Sequence, residues 1–479
     1  MIKSLKKIAT VILKIIIVVA VFLAITIVII FKIDDNRVSY LKISEENYTV
    51  NSYVLKNVNL IPMNKDTVLF NKSVLIEEGI ITRIDSSIQS TNYTIIDGLN
   101  KYLTPGLIDM HVHVWDKHEL GLYLANGVTT VRNMWGIPAH LRMKKQIVEN
   151  KLLGPIFFTS TPKLTGPEDG GPDKIQINSP EEAKKLIKQY KLDGYDVVKT
   201  YVGLPKNIYD AIITQSKIEG LTIATHPSYK VDYKYHFQPE FETIEHTEEI
   251  VQSALKFKTD SIKLQSIIEL YKTHQKSHTP TLSIFQNIID ILEQEQTILD
   301  SEETSYVNPG FIKIGSKKDL NRWINDKVQN PSVVERIKQQ HQQHLKIVKM
   351  LDDYGVNIVC GSDAGIMFAP PGLSTHEELG YYVKAGLSNY KALATATVNA
   401  SKVDSKYKNL GTLEVGKTAN LILTESNPLE DISVLKHPKT VWIKGRMIDQ
   451  QSIQLFKKKA KNRKTGAASI LRFIESFIQ

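Results

Sequence analysis

Short strand-like runs alternate with longer helix-like runs through the middle of the chain, and this alternation restricts the fold more than any other feature. Apolar, β-branched runs of this type recur at 128–132, 156–159, 196–199, 222–226, 243–246, 279–282 and 357–360. The pattern is typical of parallel βα units, because parallel strands need a long crossover that is usually a helix. Chemically active side chains end most of the runs, where parallel barrels carry their sites. The sequence therefore predicts the α/β class, with a site at the strand ends.

Two histidines lie close together at the end of another strand-like run, 107–113. Pro105-Gly106 breaks the chain just before this run, as expected for a strand that starts after a turn. Alternate side chains of a strand share a face, so His111 and His113 point the same way. Two imidazoles placed in this way can bind one divalent metal ion. The alternative is two unrelated buried histidines, and the candidate ligands further along the chain favour the metal site.

The N-terminal segment is apolar enough to enter a membrane. Residues 8–31 are interrupted only by Lys14 and two threonines, and a helix of ~20 apolar residues spans a bilayer. A cleavable signal peptide has a shorter core of ~7–15 residues and a small-residue cleavage site, and no such site follows Phe31. We expect an uncleaved single-pass anchor over 1–35, with the body outside the cytoplasm because lysines precede the helix and acids follow it. A buried core helix and a cleaved signal are the alternatives.

Composition limits the choice of partners. The 479 residues are 42% hydrophobic and 23% charged, as in an ordinary globular protein. The net charge of +9 comes largely from the basic ends, and no nucleic-acid motif is recognisable, so we expect no nucleic-acid partner. The single cysteine, Cys360, rules out an intrachain disulfide. Oligomeric state is not encoded in any pattern that we recognise, and an oligomer is compatible with the sequence.

The segment from Thr104 to His113, Thr-Pro-Gly-Leu-Ile-Asp-Met-His-Val-His, closely resembles the first-strand motif of the amidohydrolase superfamily, in particular its imidazolonepropionase-like and prolidase-like branch. Further similar segments lie at 376–387, 392–400 and 411–421, where Asn420 replaces the usual Asp. The resemblance implies a (β/α)8 TIM barrel over 102–402. It also implies a small flanking β-sandwich built from both chain ends, 52–101 and 403–449.

The resemblance also implies a ligand set for two divalent metal ions, zinc being the expected element. His111, His113 and Asp363 match the ligands of the first ion, and His226 and His246 match those of the second. Lys199 matches the bridging lysine, which carries carbon dioxide as a carbamate; the plainer interpretation is an amine that reaches solvent or pairs with an acid. Asp363 has the added role of catalytic acid–base. Tyr201 and Tyr229, just past ligand positions, are weak candidates for substrate contacts.

The function implied is hydrolysis of a carbon–nitrogen bond in a small molecule or short peptide by a metal-activated hydroxide, in a membrane-anchored enzyme. A prolidase-like dipeptidase is the first hypothesis. Hydrolysis of a cyclic amide or lactam, or an imidazolonepropionase-like reaction, is the alternative. A non-catalytic binding protein on the same scaffold is a third hypothesis, which the intact ligand set disfavours.

Four further segments carry weaker expectations. Residues 36–50 are polar and suggest a linker. The helical insertion at about 286–349 either caps the site or forms a solvated arm. The basic tail, 450–479, is an amphipathic helix on the barrel or on a membrane surface. The pairs His274/His278 and His341/His344 have ligand spacing but lie in polar surroundings, so we expect both on the solvated surface.

Overall fold

The computed structural model describes residues 2–43, 52–89 and 92–475. Its helices are α1 (Ile2–Arg37), α2 (His118–Ala125), α3 (Pro138–Val148), α4 (Pro180–Asp193), α5 (Lys206–Glu219), α6 (Thr247–Glu249), α7 (Ser261–Thr273), α8 (Leu282–Gln294), α9 (Pro309–Phe311), α10 (Lys317–Gln329), α11 (Val333–Asp353), α12 (Leu373–Ala385), α13 (Asn389–Thr395), α14 (Val398–Ser401), α15 (Gln450–Lys461) and α16 (Gly466–Glu475). Its strands are β1 (Tyr53–Leu60), β2 (Leu69–Glu77), β3 (Ile80–Asp85), β4 (Thr94–Asp97), β5 (Tyr102–Pro105), β6 (Leu107–Val112), β7 (Val128–Asn133), β8 (Ile156–Thr159), β9 (Lys163–Thr165), β10 (Lys174–Gln176), β11 (Val197–Thr200), β12 (Thr222–Thr225), β13 (Phe241–Glu245), β14 (Ser277–Thr279), β15 (Asn357–Ile358), β16 (Leu421–Thr424), β17 (Thr440–Ile443) and β18 (Arg446–Ile448).

Two parallel sheets form the centre of the molecule, with the orders β6-β7-β8 and β10-β9-β11-β12-β13-β14-β15. A parallel bridge between Ser160 and Val197 connects the end of β8 to β11. A second parallel bridge, between Val112 and Ala364, connects β6 to the segment that follows β15. Helices occupy most crossovers, as is usual between parallel strands. The predicted α/β class is confirmed.

Strands from both ends of the chain share one mixed sheet, in the order β18-β17-β16-β5-β1-β2-β3, with β4 paired to β1. The antiparallel pairing of β5 with β16 joins the early strands to the late ones. Apolar side chains from both groups, among them Val58, Leu421 and Trp442, pack in one buried cluster. The strands expected in the small β domain therefore belong to a single eight-stranded sheet.

The N-terminal helix is long and apolar enough to cross a membrane over Leu5–Arg37. It continues two residues past the expected boundary, and the expected linker begins as packed structure rather than as free chain. Val38 and Leu41 are buried, and Leu41 packs beside Gly121 of α2 and belongs to the same apolar cluster as Phe456 of α15. The rest of that linker, residues 44–50, lies outside the described residues.

The expected helical insertion packs on the body and is no solvated arm. Apolar side chains of α8 and α11, including Phe285 and Ile337, form a buried cluster with Ala369. The tail is also packed: Ile453 and Phe456 of α15 are buried against the body, where α15 contacts α2. Amphipathic helices with one apolar face gain stability by this kind of burial.

The expectation of solvated surface is wrong for three histidines. His278, His341 and His344 are buried, whereas His274 is exposed as predicted. His278 lies on β14, and the hydroxyls of Tyr271 and Thr247 bond its two ring nitrogens at 3.0 and 2.9 Å. His341 and His344 lie on the buried face of α11. This face is hard to recognise in the sequence because most residues of the helix are polar.

A buried arginine connects strands that are not neighbours. Arg132 on β7 is fully buried, and its Nε donates to the Met110 carbonyl on β6 at 2.6 Å. Its other nitrogens donate to Glu242 at 2.5 Å and Glu245 at 2.9 Å, both on β13. Because β7 and β13 belong to different sheets, this guanidinium spans the space between them.

We expect Arg132→Met to lower the free energy of unfolding by about 3–5 kcal/mol, because it removes the guanidinium that pairs with the buried carboxylate of Glu245. Glu242 keeps its ion pair with Lys406. The control is Arg83→Met, whose ion pair with Asp85 is exposed and contributes about 0–1 kcal/mol. Urea unfolding of both variants in detergent measures the difference. Equal losses in the two variants would show that the buried pair is dispensable.

Buried histidines also make stability depend on pH. Burial lowers the pKa of His376 to about 3, and its Nε2 lies 2.9 Å from the Asn126 carbonyl. A histidine whose folded pKa is depressed stabilises the protein fully above its unfolded pKa of ~6.5, and this contribution is lost as pH falls. We expect His376→Gln to be less sensitive than the wild type to a change from pH 7 to pH 5, by about 1–2 kcal/mol. Exposed His274→Gln is the control, and urea unfolding at both pH values is the measurement. An equal change in the free energy of unfolding between pH 7 and pH 5 for His376→Gln and the wild type would contradict the expectation.

Candidate metal centre

The residues that the sequence singled out as ligands lie together at the C-terminal ends of the parallel strands. They are His111 on β6, His113 just after it, Lys199 on β11, His226 and His246 directly after β12 and β13, and Asp363 after β15. All are buried. The ring centroids are 4.8 Å apart for His111 and His246, and 4.6 Å apart for His226 and His246. Parallel pairing produces this proximity, because it places the ends of all the strands on one side.

Three of the candidates, His111, His113 and Asp363, converge on one point. Oδ1 of Asp363 lies 2.8 Å from Nε2 of His113 and 3.4 Å from Nε2 of His111. The ligand atoms of these residues all lie within 4.8 Å of one another. Asp363 and His246 have φ values of 54° and 70°, which non-glycine residues rarely adopt and which are concentrated at functional sites.

Three of the four histidine rings, those of His111, His246 and His226, are oriented by a partner on one nitrogen. Nδ1 of His111 lies 2.7 Å from Glu245, which is itself held by Arg132. Nδ1 of His246 lies 2.8 Å from the hydroxyl of Thr281. Partners of this kind are typical of metal-binding histidines, because they fix the tautomer and the direction of the ligating nitrogen.

His226 also has a partner on one ring nitrogen, but that nitrogen is Nε2 instead of Nδ1. Its Nε2 lies 3.0 Å from Oε1 of Glu249, and the hydroxyl of Ser253 donates to the other oxygen of Glu249. Nδ1 of His226 has no hydrogen-bond partner among the described residues, although the ring is buried. An orphaned buried nitrogen is costly unless something else engages it, so this atom fits a metal ligand.

The buried amine of Lys199 is also orphaned. Its side chain is 1% exposed, and Nζ has no hydrogen-bond partner within the described part of the chain. Burial lowers its pKa to about 8, against the opposing attraction of Glu245 and Asp363. A buried ammonium without a bonded partner is unfavourable, and a neutral amine is the form that adds carbon dioxide. The environment of Lys199 therefore fits a carbamate.

Electrostatics favour the protonation states that metal ligands require. Burial lowers the pKa of His111 to about 4 and that of His246 well below its usual value, so both rings are neutral near pH 7. Burial opposes ionisation of Asp363, but the charge that His111 and His113 carry when protonated at low pH outweighs it and holds the pKa of this carboxyl below its usual range. Neutral imidazoles around an ionised carboxylate form a donor set suited to a divalent cation.

Several residues at the site were missed by the sequence analysis. Glu248 and Glu249 form a second possible metal-binding group with His226. They lie two and three residues after His246, and acids at a helix start are so common that they gave no distinct signal. Asp109 accepts hydrogen bonds from the hydroxyls of Ser362 and Thr375 at 2.6 and 2.7 Å, which fastens the Asp363 segment to β6. The sequence signal for Asp109 was a single acidic residue within an apolar strand.

The two tyrosines differ in their distance from the site. The ring centroid of Tyr201 lies 4.6 Å from that of His226, and the amines of Lys163 and Lys174 lie over the Tyr201 ring. Tyr229 is half exposed, and its hydroxyl donates to Asp169 at 2.7 Å on the loop above. Tyr201 thus contacts a candidate ligand, whereas Tyr229 belongs to the outer loop layer.

The insertion closes one side of the site. A small cavity of about 10 Å³ is lined by His246, Glu248, Phe285, His344 and Asp363, among others. Such a volume holds about one water molecule. Phe285 and His344 come from α8 and α11, so the insertion contributes directly to the wall of the site.

Comparison with known proteins gives a consistent result. The sequence model described as "Amidohydrolase family" matches residues 102–448. Ochratoxinase of Aspergillus niger is 34% identical over 124 residues, and dihydroorotase of Carboxydothermus hydrogenoformans is 43% identical over 63 residues. The ochratoxinase match spans 25% of this chain and 25% of the ochratoxinase. The dihydroorotase match spans 13% of this chain and 14% of the dihydroorotase. A crystal structure of a Xaa-Pro dipeptidase with bound methionine superposes with a TM-score of 0.65 at 21% identity, over 83% of this chain and 100% of that one.

Proposed function

The chain belongs to the amidohydrolase family, and on this basis we propose that it is a metal-dependent hydrolase that cleaves a carbon–nitrogen bond. The observation that carries the proposal is the convergence of four histidines, a lysine and an aspartate at the strand ends, with ring nitrogens oriented by Glu245, Thr281 and Glu249. A scaffold that had lost its activity would not need this ring orientation. The proposed substrate is a dipeptide or a related small amide.

We infer that the parallel strands close into a (β/α)8 barrel, with the mixed sheet as a flanking sandwich. The two bridges, Ser160 to Val197 and Val112 to Ala364, support closure because they join the two parallel sheets at two separate places. Arg132 supports it as well, since its side chain crosses from β7 to β13 through the space that a barrel encloses.

The proposed cofactors are two divalent metal ions, and the nitrogen and oxygen donors favour zinc in both positions. His111, His113 and Asp363 would hold one ion, His226 and His246 the other, and a carbamate on Lys199 would bridge them. Lys199 forms the carbamate when its neutral amine adds carbon dioxide and releases one proton. When bound, such ions lower the pKa of a water molecule to ~7 and polarise a carbonyl.

The chain's own residues do the rest of the work. Asp363 accepts a proton from the attacking water and delivers it to the leaving nitrogen, which lets the amine depart in neutral form. Glu245, Thr281 and Glu249 fix the orientation of the rings of His111, His246 and His226. Burial of the site excludes bulk water, which strengthens each of these electrostatic contacts.

We also propose that α1 spans a membrane once and holds the body on the extracytoplasmic side. The helix is long and apolar enough, and its side chains from Leu5 to Ala24 are exposed. An exposed apolar surface of this size is unfavourable in water and favourable in lipid. The orientation follows from the lysines that precede the helix core.

Metal content and hydrolysis of dipeptides and cyclic amides test the proposed function together. We expect close to two metal ions per chain, falling to one or fewer in Lys199→Ala, with a loss of at least ~100-fold in the rate of hydrolysis. The matched control is Lys276→Ala, another buried lysine whose amine donates to backbone carbonyls away from the site. One ion per chain that is unaffected by Lys199→Ala would contradict the two-metal centre bridged by Lys199. Absence of hydrolysis with both ions bound would contradict the proposed hydrolase activity.

Removing the partner of His226 should weaken the second metal position. We expect Glu249→Ala to lower the affinity for the more weakly held ion by ~10–100-fold, because the ring loses the group that fixes its tautomer. Competition with a chromogenic chelator measures this affinity directly. Glu269→Ala, an exposed acid on α7, is the control, and equal affinities in both variants would show that Glu249 does not position His226.

A further inference from the structure

The base of α1 is fixed to the body without a flexible joint. The helix runs to Arg37, and Tyr40 follows three residues later with its hydroxyl 2.9 Å from Nδ1 of His118. Leu41 then packs against Gly121, which Phe456 also approaches. The backbone amide of Ile43 donates to the Lys151 carbonyl at 3.2 Å. A span connected in this way positions the body rather than merely tethering it.

Ion pairs fasten the last turns of α1 to the loop that follows β6. Asp34 is buried and pairs with Arg472 of α16. Asp35 lies 2.9 Å from the amine of Lys117. Lys117 comes four residues after His113, so the fastening point lies at the strand ends, on the side of the molecule that carries the site.

The course of the chain gives the direction from which α1 arrives. Asp35 contacts Lys117 at the start of α2, on the strand-end side. Ile43 pairs with Lys151, which lies between α3 and the start of β8, on the opposite side. The chain therefore passes from the strand ends toward the strand starts as it leaves α1, and α1 lies on the strand-end side.

One short path of contacts joins the base of α1 to the candidate ligands. The guanidinium of Arg472 lies over the Phe31 ring, and the next residue on α16, Phe473, has its ring centroid 6.0 Å from that of Trp115. Trp115 follows His113 by two residues, and its Nε1 donates at 2.8 Å to the carbonyl of Gly365, two residues past Asp363. We call residues 115–117 together with α16 the site rim.

The surface around the base of α1 is rich in exposed cations and holds an exposed apolar side chain. The acids there are engaged, since Asp34, Asp35 and Glu475 all pair with basic residues. Ile474 on α16 is 45% exposed. The exposed cations are Lys32 and Arg37 on α1, Lys459, whose amine lies over the Tyr40 ring, and Lys464, whose carbonyl accepts a hydrogen bond from Arg37. Basic groups beside a membrane-spanning helix are attracted to anionic lipid headgroups, and an apolar side chain next to them enters the interface.

We propose that the site rim rests on the surface of an anionic lipid bilayer, so that the metal centre faces the headgroup layer instead of open solution. This inference rests on the proposed membrane span of α1, and it adds a docking surface and an orientation to that span. The fixed base of α1, the ion pairs at the strand ends and the cationic surface each point to the same side of the body.

Fluorescence quenching on the full chain tests the orientation. The chain is reconstituted in vesicles of phosphatidylcholine and phosphatidylglycerol, and an environment-sensitive dye is attached at Ile474→Cys; Cys360 is buried and should not react. The matched control is Ile218→Cys, 69% exposed at the end of α5, on the strand-start side. We expect a lipid-borne quencher to reduce the fluorescence at 474 several-fold more than at 218. Equal quenching at both positions, strong or weak, would overturn the proposal.

A second variant tests the fastening itself. Asp34→Asn should lower the quenching at position 474 at least twofold while the chain stays in the membrane, because the rim loses its ion pair with α1. Asp85→Asn, which disrupts an exposed pair on the mixed sheet, should leave the quenching unchanged. Unaltered quenching in Asp34→Asn would overturn the assigned fastening.

Alkaline carbonate extraction separates failure of the orientation from failure of the span. If the chain resists extraction and position 474 is remote from lipid, the orientation is wrong and the membrane span remains. If carbonate releases the chain, the span and the orientation both fail, whereas the metal and hydrolysis measurements are unaffected.

Discussion

The structure depends on one set of buried charges, the chain of contacts from Glu242 through Arg132 and Glu245 to His111. Charges this deeply buried must be paired, because the cost of removing them from water exceeds what packing alone returns. Each partner lies on a strand of one or the other parallel sheet, so the network forms only when the sheets face each other. The same carboxylate that satisfies Arg132 also turns His111 toward Asp363. Assembly of the sheets and orientation of the first candidate ligand therefore depend on the same ions.

The rest of the site extends this logic around the strand ends. The imidazoles of His111, His246 and His226 each use one nitrogen for a partner within the protein, which leaves the other nitrogen for a ligand. Asp109 holds the segment of Asp363 through two hydroxyls. The partners come from loops and helices that follow different strands, so the geometry is set by many non-local contacts. A rigid arrangement of this kind lowers the reorganisation needed for binding a metal ion or for reaction.

The peripheral elements relate to the site as well. The insertion between β14 and β15 supplies Phe285 and His344 to its wall, and the C-terminal helix brings Phe473 next to Trp115. Both elements looked in sequence like solvated or undecided segments, since their polar faces dominate the composition. Their inward stripes are short, and what those stripes contact is supplied by distant parts of the chain.

The sequence by itself determined the α/β class and the long apolar helix, because strand and helix periodicity are local properties that each segment carries alone. It also named six candidate ligands, which lie together in the structure: His111, His113, Lys199, His226, His246 and Asp363. They could be named because each matched position falls near or after the end of a parallel strand. Only the tertiary structure decided the partners of those residues, such as Glu249 and Thr281, and the burial of His278, His341 and His344. It alone also decided that α1 is fastened at the strand ends. The physical reason is that burial, ring orientation and ion pairing depend on contacts between residues far apart in the chain, which no local pattern encodes.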